Sequence, residues 1–358
     1  MTKTRIAVIG LGMAVAPHAK SLTDLSDRVE VAACYSPTEA RRRAFADTYG
    51  LPVDDDLDAI FADRTIDAVM ILTPPNTHLD LVRRAAEAGK HVLLEKPLEI
   101  SFQRSAELVE TAERAGIKLG VVLQHRFRPV GVALRRLIEE GRLGTIVSAS
   151  ARLMNWRPQS YYDQPGRGTL ARDGGGVLLT QGIHTLDLLI SLAGAPAQVF
   201  SYAVTSPVHR METEDIAAAA GRWENGAIGT IMATTAAYPG LPDQIDIIGT
   251  KGTATLVGTA LAAHFHDGTA VDLTDDAEGG GTGADPMAFP HHHHRAVLAD
   301  FLDAIERDRE PAVSGREALK VHGLIAATLR SSESGRAEST AIPLPLAGRG
   351  ARGAGREG

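Results

Sequence analysis

The sequence predicts an α/β protein. A doubly wound parallel sheet comes first, followed by an α+β domain built on a large, open, mostly antiparallel sheet. Three observations carry this reading. Short, continuous apolar runs alternate with helical patterns from residue 4 to residue 123. A Gly-x-Gly turn follows the first of those runs directly. Beyond residue 129, apolar and polar residues alternate within many of the runs.

The candidate strands of the first part are RIAVIG (5–10), VEVAACY (29–35), AVMILTP (68–74), HVLLEKP (91–97) and IKLGVVL (117–123). Strands buried on both faces of a parallel sheet read as continuous apolar runs of this kind. Helical patterns lie between them, including 37–50 and 79–89. Such alternation implies right-handed crossovers. In the second part a helix over 130–141 leads to a strand over 145–153. An irregular stretch, 154–173, precedes a helix that opens on three glycines, 174–176. Half-exposed antiparallel strands are expected near 197–206, 214–223, 227–236, 244–249 and 253–257. Helices over 294–308 and 315–334 close the domain.

Composition narrows the function. A net charge of −7 leaves no basic footprint for nucleic acid. No run approaches the roughly 18 apolar residues of a membrane span. The apolar N-terminal run ends in glycines without a cleavage-site pattern, so it reads as a strand and a cytoplasmic location is expected. The single cysteine, Cys34, excludes an internal disulfide and a cysteine-based metal site.

The first strand feeds the turn Gly10-Leu11-Gly12-Met13-Ala14-Val15. Gly10 suits a tight turn, and Gly12 lets backbone approach a pyrophosphate seated on the following helix. After a first strand and within a βαβ pattern, this reads as the dinucleotide turn of a Rossmann domain, with Val15 in place of its third small residue; the alternative is a purely structural glycine turn. Gly10, Gly12, Met13 and Ala14 are therefore cofactor candidates. An NAD-binding second strand usually ends in an acid that grips the ribose. Here it ends Tyr35-Ser36, with Arg41, Arg42 and Arg43 beyond. Tyr35, Ser36 and Arg41 join the cofactor set, and the missing acid favours NADP over NAD. The other reading makes Ser36-Pro37-Thr38-Glu39 a capping box and the arginines a solvated face. A domain of about 100–200 residues is typical, so the chain of 358 divides in two. We expect a dinucleotide-binding domain over 1–125, a substrate-binding and oligomerisation domain over 126–342, and a disordered Gly/Arg-rich tail over 343–358.

Thr180, His184, Asp187 and Ser191 recur at spacings that put them on one helix face. This polar stripe crosses an otherwise apolar helix. Two further segments, Thr73-Pro74-Pro75-Asn76-Thr77-His78 and Glu95-Lys96-Pro97, end predicted strands, where open α/β sheets bind ligands. Together with the Gly-x-Gly turn and the Gly-Gly-Gly…His…Asp helix, they resemble the glucose–fructose oxidoreductase/inositol dehydrogenase (Gfo/Idh/MocA) family over residues 4–342. The resemblance implies that Thr73, Pro74, Asn76 and His78 lie along the cofactor. It implies that Glu95 and Lys96 meet cofactor and substrate, with a cis proline after the lysine, and that Gln124 stands near the nicotinamide amide. It makes His184 the acid/base. Three bland alternatives stand beside it: an ion pair with an acid such as Glu95 for Lys96, a packing or capping role at a helix start for His78, and a histidine satisfied in the core for His184. The family often has Asp four residues before the histidine; here that position is Thr180, which holds no charge at neutral pH. His184 should then be less basic, with Asp187 or Ser191 to orient it.

The stretch 152–173 is too long for a plain connector. It carries Trp156, Tyr161 and Tyr162 with Arg152, Arg157, Arg167 and Arg172, against only Asp163 and Asp173. Flat rings and forked guanidiniums suggest a sugar-like or cyclic polyol substrate, with an acidic group left open. The candidate substrate residues are Lys96, Arg126, Trp156, Arg157, Tyr161, Tyr162 and His184. The arginines could instead be solvated or pair across an oligomer interface. No metal is expected, because the four histidines 291–294 cannot all face one ion in a helix. The whole predicts an NAD(P)-dependent dehydrogenase or reductase acting on a secondary alcohol or ketone, with Lys96 and His184 handling the proton and Thr180 and Asp187 supporting them. A redox-neutral glycoside-cleaving enzyme and a non-catalytic nucleotide or sugar sensor are the alternatives. The resemblance implies a homodimer or homotetramer.

Overall fold

The computed structural model describes residues 3–275 and 290–341, so the expected tail lies outside the described residues. The first sheet is formed by β1 (Thr4–Ile9), β2 (Val29–Tyr35), β3 (Val53–Asp54), β4 (Ala68–Ile71), β5 (His91–Leu94) and β6 (Leu119–Val121). Between them run α1 (Val15–Asp24), α2 (Glu39–Tyr49), α3 (Leu57–Ala62), α4 (His78–Glu87) and α5 (Phe102–Ala115). All strand pairs are parallel, in the order β3-β2-β1-β4-β5-β6. The order reverses between β1 and β4, which brings the loops after those two strands together. A Cβ on Gly10 would lie 2.8 Å from the Leu72 carbonyl carbon and 2.9 Å from Thr73 N. Gly10 also has φ +107°, a conformation that favours glycine.

α6 (Pro129–Glu139) leads to β7 (Ile146–Trp156), the central strand of the second sheet. Then come the short turns of helix α7 (Gln159–Tyr162), α8 (Leu170–Asp173) and α9 (Val177–Thr180), followed by α10 (Ile183–Ala193). The sheet is completed by β8 (Gln198–Val204), β9 (Ile216–Arg222), β10 (Ile228–Thr234), β11 (Ala236–Gly249), β12 (Gly252–Val257), β13 (Ala260–Phe265) and β14 (Ala270–Thr274). α11 (His292–Glu306), α12 (Gly315–Ser334) and β15 (Glu338–Ser339) end the description. The nine strands run β14-β13-β12-β11-β7-β10-β9-β8-β15, and only β7 and β10 pair in parallel. α10 and α12 pack on one face. The other face leaves Tyr202, Val204 and Ile228 exposed.

Four details depart from the sequence reading. The Glu95-Lys96-Pro97 segment is a loop, because β5 stops at Leu94. The strands β3, β13, β14 and β15 were not expected, being too short or too rich in alanine and polar residues to stand out. α11, assigned to the second domain, packs on α1; its Val297, Leu298, Phe301 and Leu302 fill the core beside Ile6 and Val8 of β1. Its apolar stripe marks a buried face but not which sheet buries it. Finally, the helix after the three glycines is broken. The α8–α9 segment and α10 meet at a 50° bend, and the Gly182 N–H bonds back to the Val177 carbonyl at 2.7 Å, five residues away. The glycines are there for close approach. A Cβ on Gly174 would lie 2.4 Å from Ile100 Cα, and one on Gly176 would lie 1.8 Å from the Glu214 carbonyl oxygen.

Candidate active site

The loops after β1, β4, β5 and β6 and the start of α10 come together: Gly10 lies against Leu72 and Thr73, Glu95 meets His18, and His125 stacks on His184. At the cofactor end, a Cβ on Gly12 would meet nothing within 4 Å among the described residues. The glycine therefore answers no contact among them, as expected where backbone approaches a bound phosphate. Met13, 62% exposed, and Ala14, at the N-terminus of α1, lie beside it. Thr73 bonds Thr77 through their hydroxyls at 2.7 Å, and this holds the turn that exposes Pro74 and Asn76. The buried Gln124 Oε1, just after β6, has no hydrogen-bond partner among the described residues. The open turn and this orphaned acceptor fit a dinucleotide with a nicotinamide amide.

The second strand ends as the sequence implied, but its cap differs. Thr38, not Ser36, is the N-cap of α2, and Thr38 makes no side-chain cap bond. Ser36 is buried; its hydroxyl accepts the Thr38 N–H at 3.3 Å. Arg42 donates to the Ser36 carbonyl at 2.6 Å and reaches Asp55 at 3.4 Å. Arg43 pairs with Glu39. Arg41 alone of the three is exposed without a partner among the described residues.

Lys96 is half-buried and its peptide bond to Pro97 is cis. Its Nζ donates to the Thr180 carbonyl at 3.0 Å. Burial lowers its pKa; Glu95 opposes this, while Arg167 and Arg157 add to it. Burial also works against the Glu95 carboxylate, but the His18 imidazole at 3.1 Å, with Lys96, holds it below the usual carboxylate range. His184 stands in the first turn of α10 and stacks on His125, with ring centroids 4.9 Å apart. Neither nitrogen of His184 is hydrogen-bonded among the described residues, and Nδ1 is buried. Burial first, then the charges of Lys96 and Arg128, press its pKa well below the ordinary histidine value. The imidazole is neutral at pH 7. His125, also neutral and buried, was not singled out in the sequence, where it sits as one polar residue among several in QHRFRP.

Several expected roles change. Asp187 does not orient His184: it accepts two bonds from Arg126, at 2.7 and 2.6 Å, and both side chains are buried. Arg126 is thereby occupied and is not free for substrate. Ser191 serves Arg135 at 3.1 Å. Thr180 turns its hydroxyl to the Gly176 carbonyl at 2.6 Å and to the Gln181 side chain, so it meets Lys96 through its backbone. The helix break is the reason, since it takes Thr180 off the face of α10. His78 is fully buried; its Nε2 faces the Thr73 carbonyl at 2.9 Å, and its Nδ1 faces those of Pro97 and Leu98 at 3.0 and 3.1 Å. It pins the two loops together and offers the cofactor no free ring atom. Tyr162 is core as well: it is 8% exposed, bonds the Thr235 hydroxyl at 2.7 Å and packs on His209. Trp156, Arg157 and Tyr161 remain half-buried. The four histidines diverge: His291 pairs with Asp24, His294 packs edge-on to His18, and His292 and His293 turn toward Asp275.

The family models settle the membership. Residues 4–123 match the oxidoreductase family with an NAD-binding Rossmann fold, and residues 132–255 match the Gfo/Idh/MocA C-terminal domain. The chain belongs to the Gfo/Idh/MocA family. Like its relatives, this Gfo/Idh/MocA protein is an NAD(P)-dependent oxidoreductase. It is similar to inositol 2-dehydrogenase of Rhizobium meliloti, 28% identical over 91% of this chain and 96% of the relative. It also resembles D-xylose 1-dehydrogenase (NADP(+)) 2 of Haloferax volcanii, 28% identical over 86% of this chain and 91% of the relative. Among solved structures, the WlbA dehydrogenase of Bordetella pertussis, in complex with NADH and UDP-GlcNAcA, superposes with a TM-score of 0.81. It is 28% identical and covers 96% of this chain and all of its own.

Proposed function

We propose that the protein oxidises a secondary alcohol of a sugar-like or cyclic polyol, or reduces the matching ketone, with Lys96 and His184 as its catalytic residues. The observation that carries this is Lys96, anchored on the Thr180 carbonyl, set with a neutral histidine that has no hydrogen-bond partner among the described residues, beside an open dinucleotide turn. Gly10, Gly12, Met13, Ala14, Thr73, Pro74, Asn76 and Gln124 would hold the cofactor, which supplies or accepts the hydride when bound. The Lys96 ammonium stabilises the substrate oxygen as it gains negative charge. The neutral His184 imidazole takes the hydroxyl proton in oxidation, and its imidazolium form gives a proton to the oxygen in reduction. The Lys96–Thr180 bond fixes the lysine against the second domain, and burial keeps the polar groups in a low-dielectric setting where their charges act strongly. Trp156 offers a flat face to a ring. Arg41, the one of the arginines 41–43 without a partner among the described residues, favours NADP. The open face of the second sheet, with Tyr202 67% and Ile228 63% exposed, suits burial against a second copy in a homodimer or homotetramer.

The test is cofactor titration followed by an assay of nicotinamide absorbance with inositols and aldoses. Turnover that Lys96→Met and His184→Asn each abolish, with cofactor binding retained, supports the reading. Turnover retained in both variants overturns the assignment.

A further inference from the structure

We propose that the substrate is anionic, its carboxylate or phosphate oxygens held by the guanidiniums of Arg157 and Arg167 beside Lys96. This rests on the proposed function and names the substrate class for the same site. Arg157 follows the end of β7, and Arg167 lies in the loop between α7 and α8. One ring positions both: their guanidinium carbons lie 5.7 and 5.1 Å from the Tyr161 ring centroid. Both also act on the charge of Lys96.

The donors of these arginines are poorly matched within the chain. Arg157 donates to the carbonyl of its own neighbour, Trp156, at 2.9 Å. The nearest acid to Arg167 is Asp173, at 3.6 Å, and that carboxylate already accepts the Gly168 N–H at 2.8 Å. The Nε atoms of both arginines are buried without a partner among the described residues. Other nearby acids are spent: Glu214 receives the N–H groups of Gly176 and Leu178, and Asp215 receives His209 and Ser206. Lys96 has Glu95 as its acidic neighbour, while Arg167 reaches only Asp173, a carboxylate that Arg172 also approaches at 3.8 Å. Buried donors without acceptors are unfavourable, and a forked guanidinium matches a planar or tetrahedral oxoanion. A neutral sugar would leave this charge uncompensated.

The experiment is calorimetric titration of the full-length protein loaded with whichever reduced cofactor it binds more tightly. The probes are D-glucuronate and D-galacturonate, glucose 6-phosphate, and neutral D-glucose and D-galactose. Charged probes should bind about tenfold tighter or more than their neutral partners. Arg157→Gln and Arg167→Gln should each erase that preference while cofactor affinity stays within about twofold, which also shows that the variants fold. The uronate and phosphate arms tell the two oxoanions apart. Equal binding of neutral and charged probes, no binding of any charged probe, or a preference that survives both substitutions overturns the proposal. Hydride transfer is read separately on the same probes. Anion binding that depends on the arginines, with no hydride transfer to any probe, would sink the proposed function and leave the anion site standing. Turnover confined to neutral sugars would do the reverse.

Discussion

Asp187 directs its carboxylate to Arg126, and no acid among the described residues orients His184. The pair is bidentate, with bonds of 2.6 and 2.7 Å, and Asp187 is fully buried. Removing one member of a buried pair strands the other, a cost of about 3–5 kcal/mol. Asp187→Asn should therefore lower the unfolding free energy by about that amount, measured by urea denaturation. His184→Asn should leave the unfolding midpoint unchanged and cut turnover by about a hundredfold or more. A stable but inactive Asp187→Asn would return Asp187 to the proton path.

Gly10 and Gly12 are two residues apart and answer different demands. Gly10→Ala drives a Cβ into the backbone of Leu72 and Thr73 at φ +107°, so it should lose about 1–3 kcal/mol of stability. The Cβ of Gly12→Ala meets nothing within 4 Å among the described residues. The variant's thermal midpoint should match the parent while cofactor affinity drops about tenfold or more. Equal cofactor affinity in Gly12→Ala would mean that the turn is not the pyrophosphate seat.

His322 couples stability to pH. It accepts the Leu98 N–H through Nε2 at 3.1 Å, so Nδ1 carries the proton toward the Ser105 hydroxyl at 3.3 Å. Burial depresses its pKa to about 3. An unfolded chain binds a proton below a pKa of about 6.5, which the folded chain refuses. The stabilisation is full above about pH 6.5 and is lost toward about pH 3, at about 1.4 kcal/mol per pH unit. Urea unfolding across that range should show a shallower acid slope for His322→Gln than for the parent. Identical slopes would contradict this account.

Arg41 offers the clean test of cofactor choice, since Arg42 and Arg43 are already paired. Arg41→Glu should weaken NADPH about tenfold or more and change NADH by about twofold at most. A parent that binds NADH tightly and NADPH poorly would make the arginines a wet helix face.

The helical period of 180–191 is real in the sequence, and it misled. Thr180 and His184 are four residues apart, yet Gly182 lets the chain bend between them, and the hydroxyl that was to face His184 caps its own turn. Lys96, by contrast, was legible because a lysine closing a continuous apolar strand has few resting places except a partner or a site. His125 and Asp243 were not. Asp243 reaches Thr185, beside His184, from β11, some sixty residues along the chain, and no local pattern records such a meeting.

What the sequence alone determined was periodicity and turn chemistry: the continuous runs of the parallel sheet, the Gly-x-Gly turn, and the loops that end in Thr73 and Lys96. These depend on which residues are neighbours along the chain, and burial on both faces or a positive φ leaves its mark there. Only the tertiary structure decided the partners. It gave Asp187 to Arg126, turned His78 into a clasp between two loops, packed α11 on the first sheet, and set Arg157 and Arg167 around Tyr161. Charge pairing acts through space, over distances of a few ångströms, so residues far apart in sequence compete for the same partner. That competition is settled only once the chain is folded.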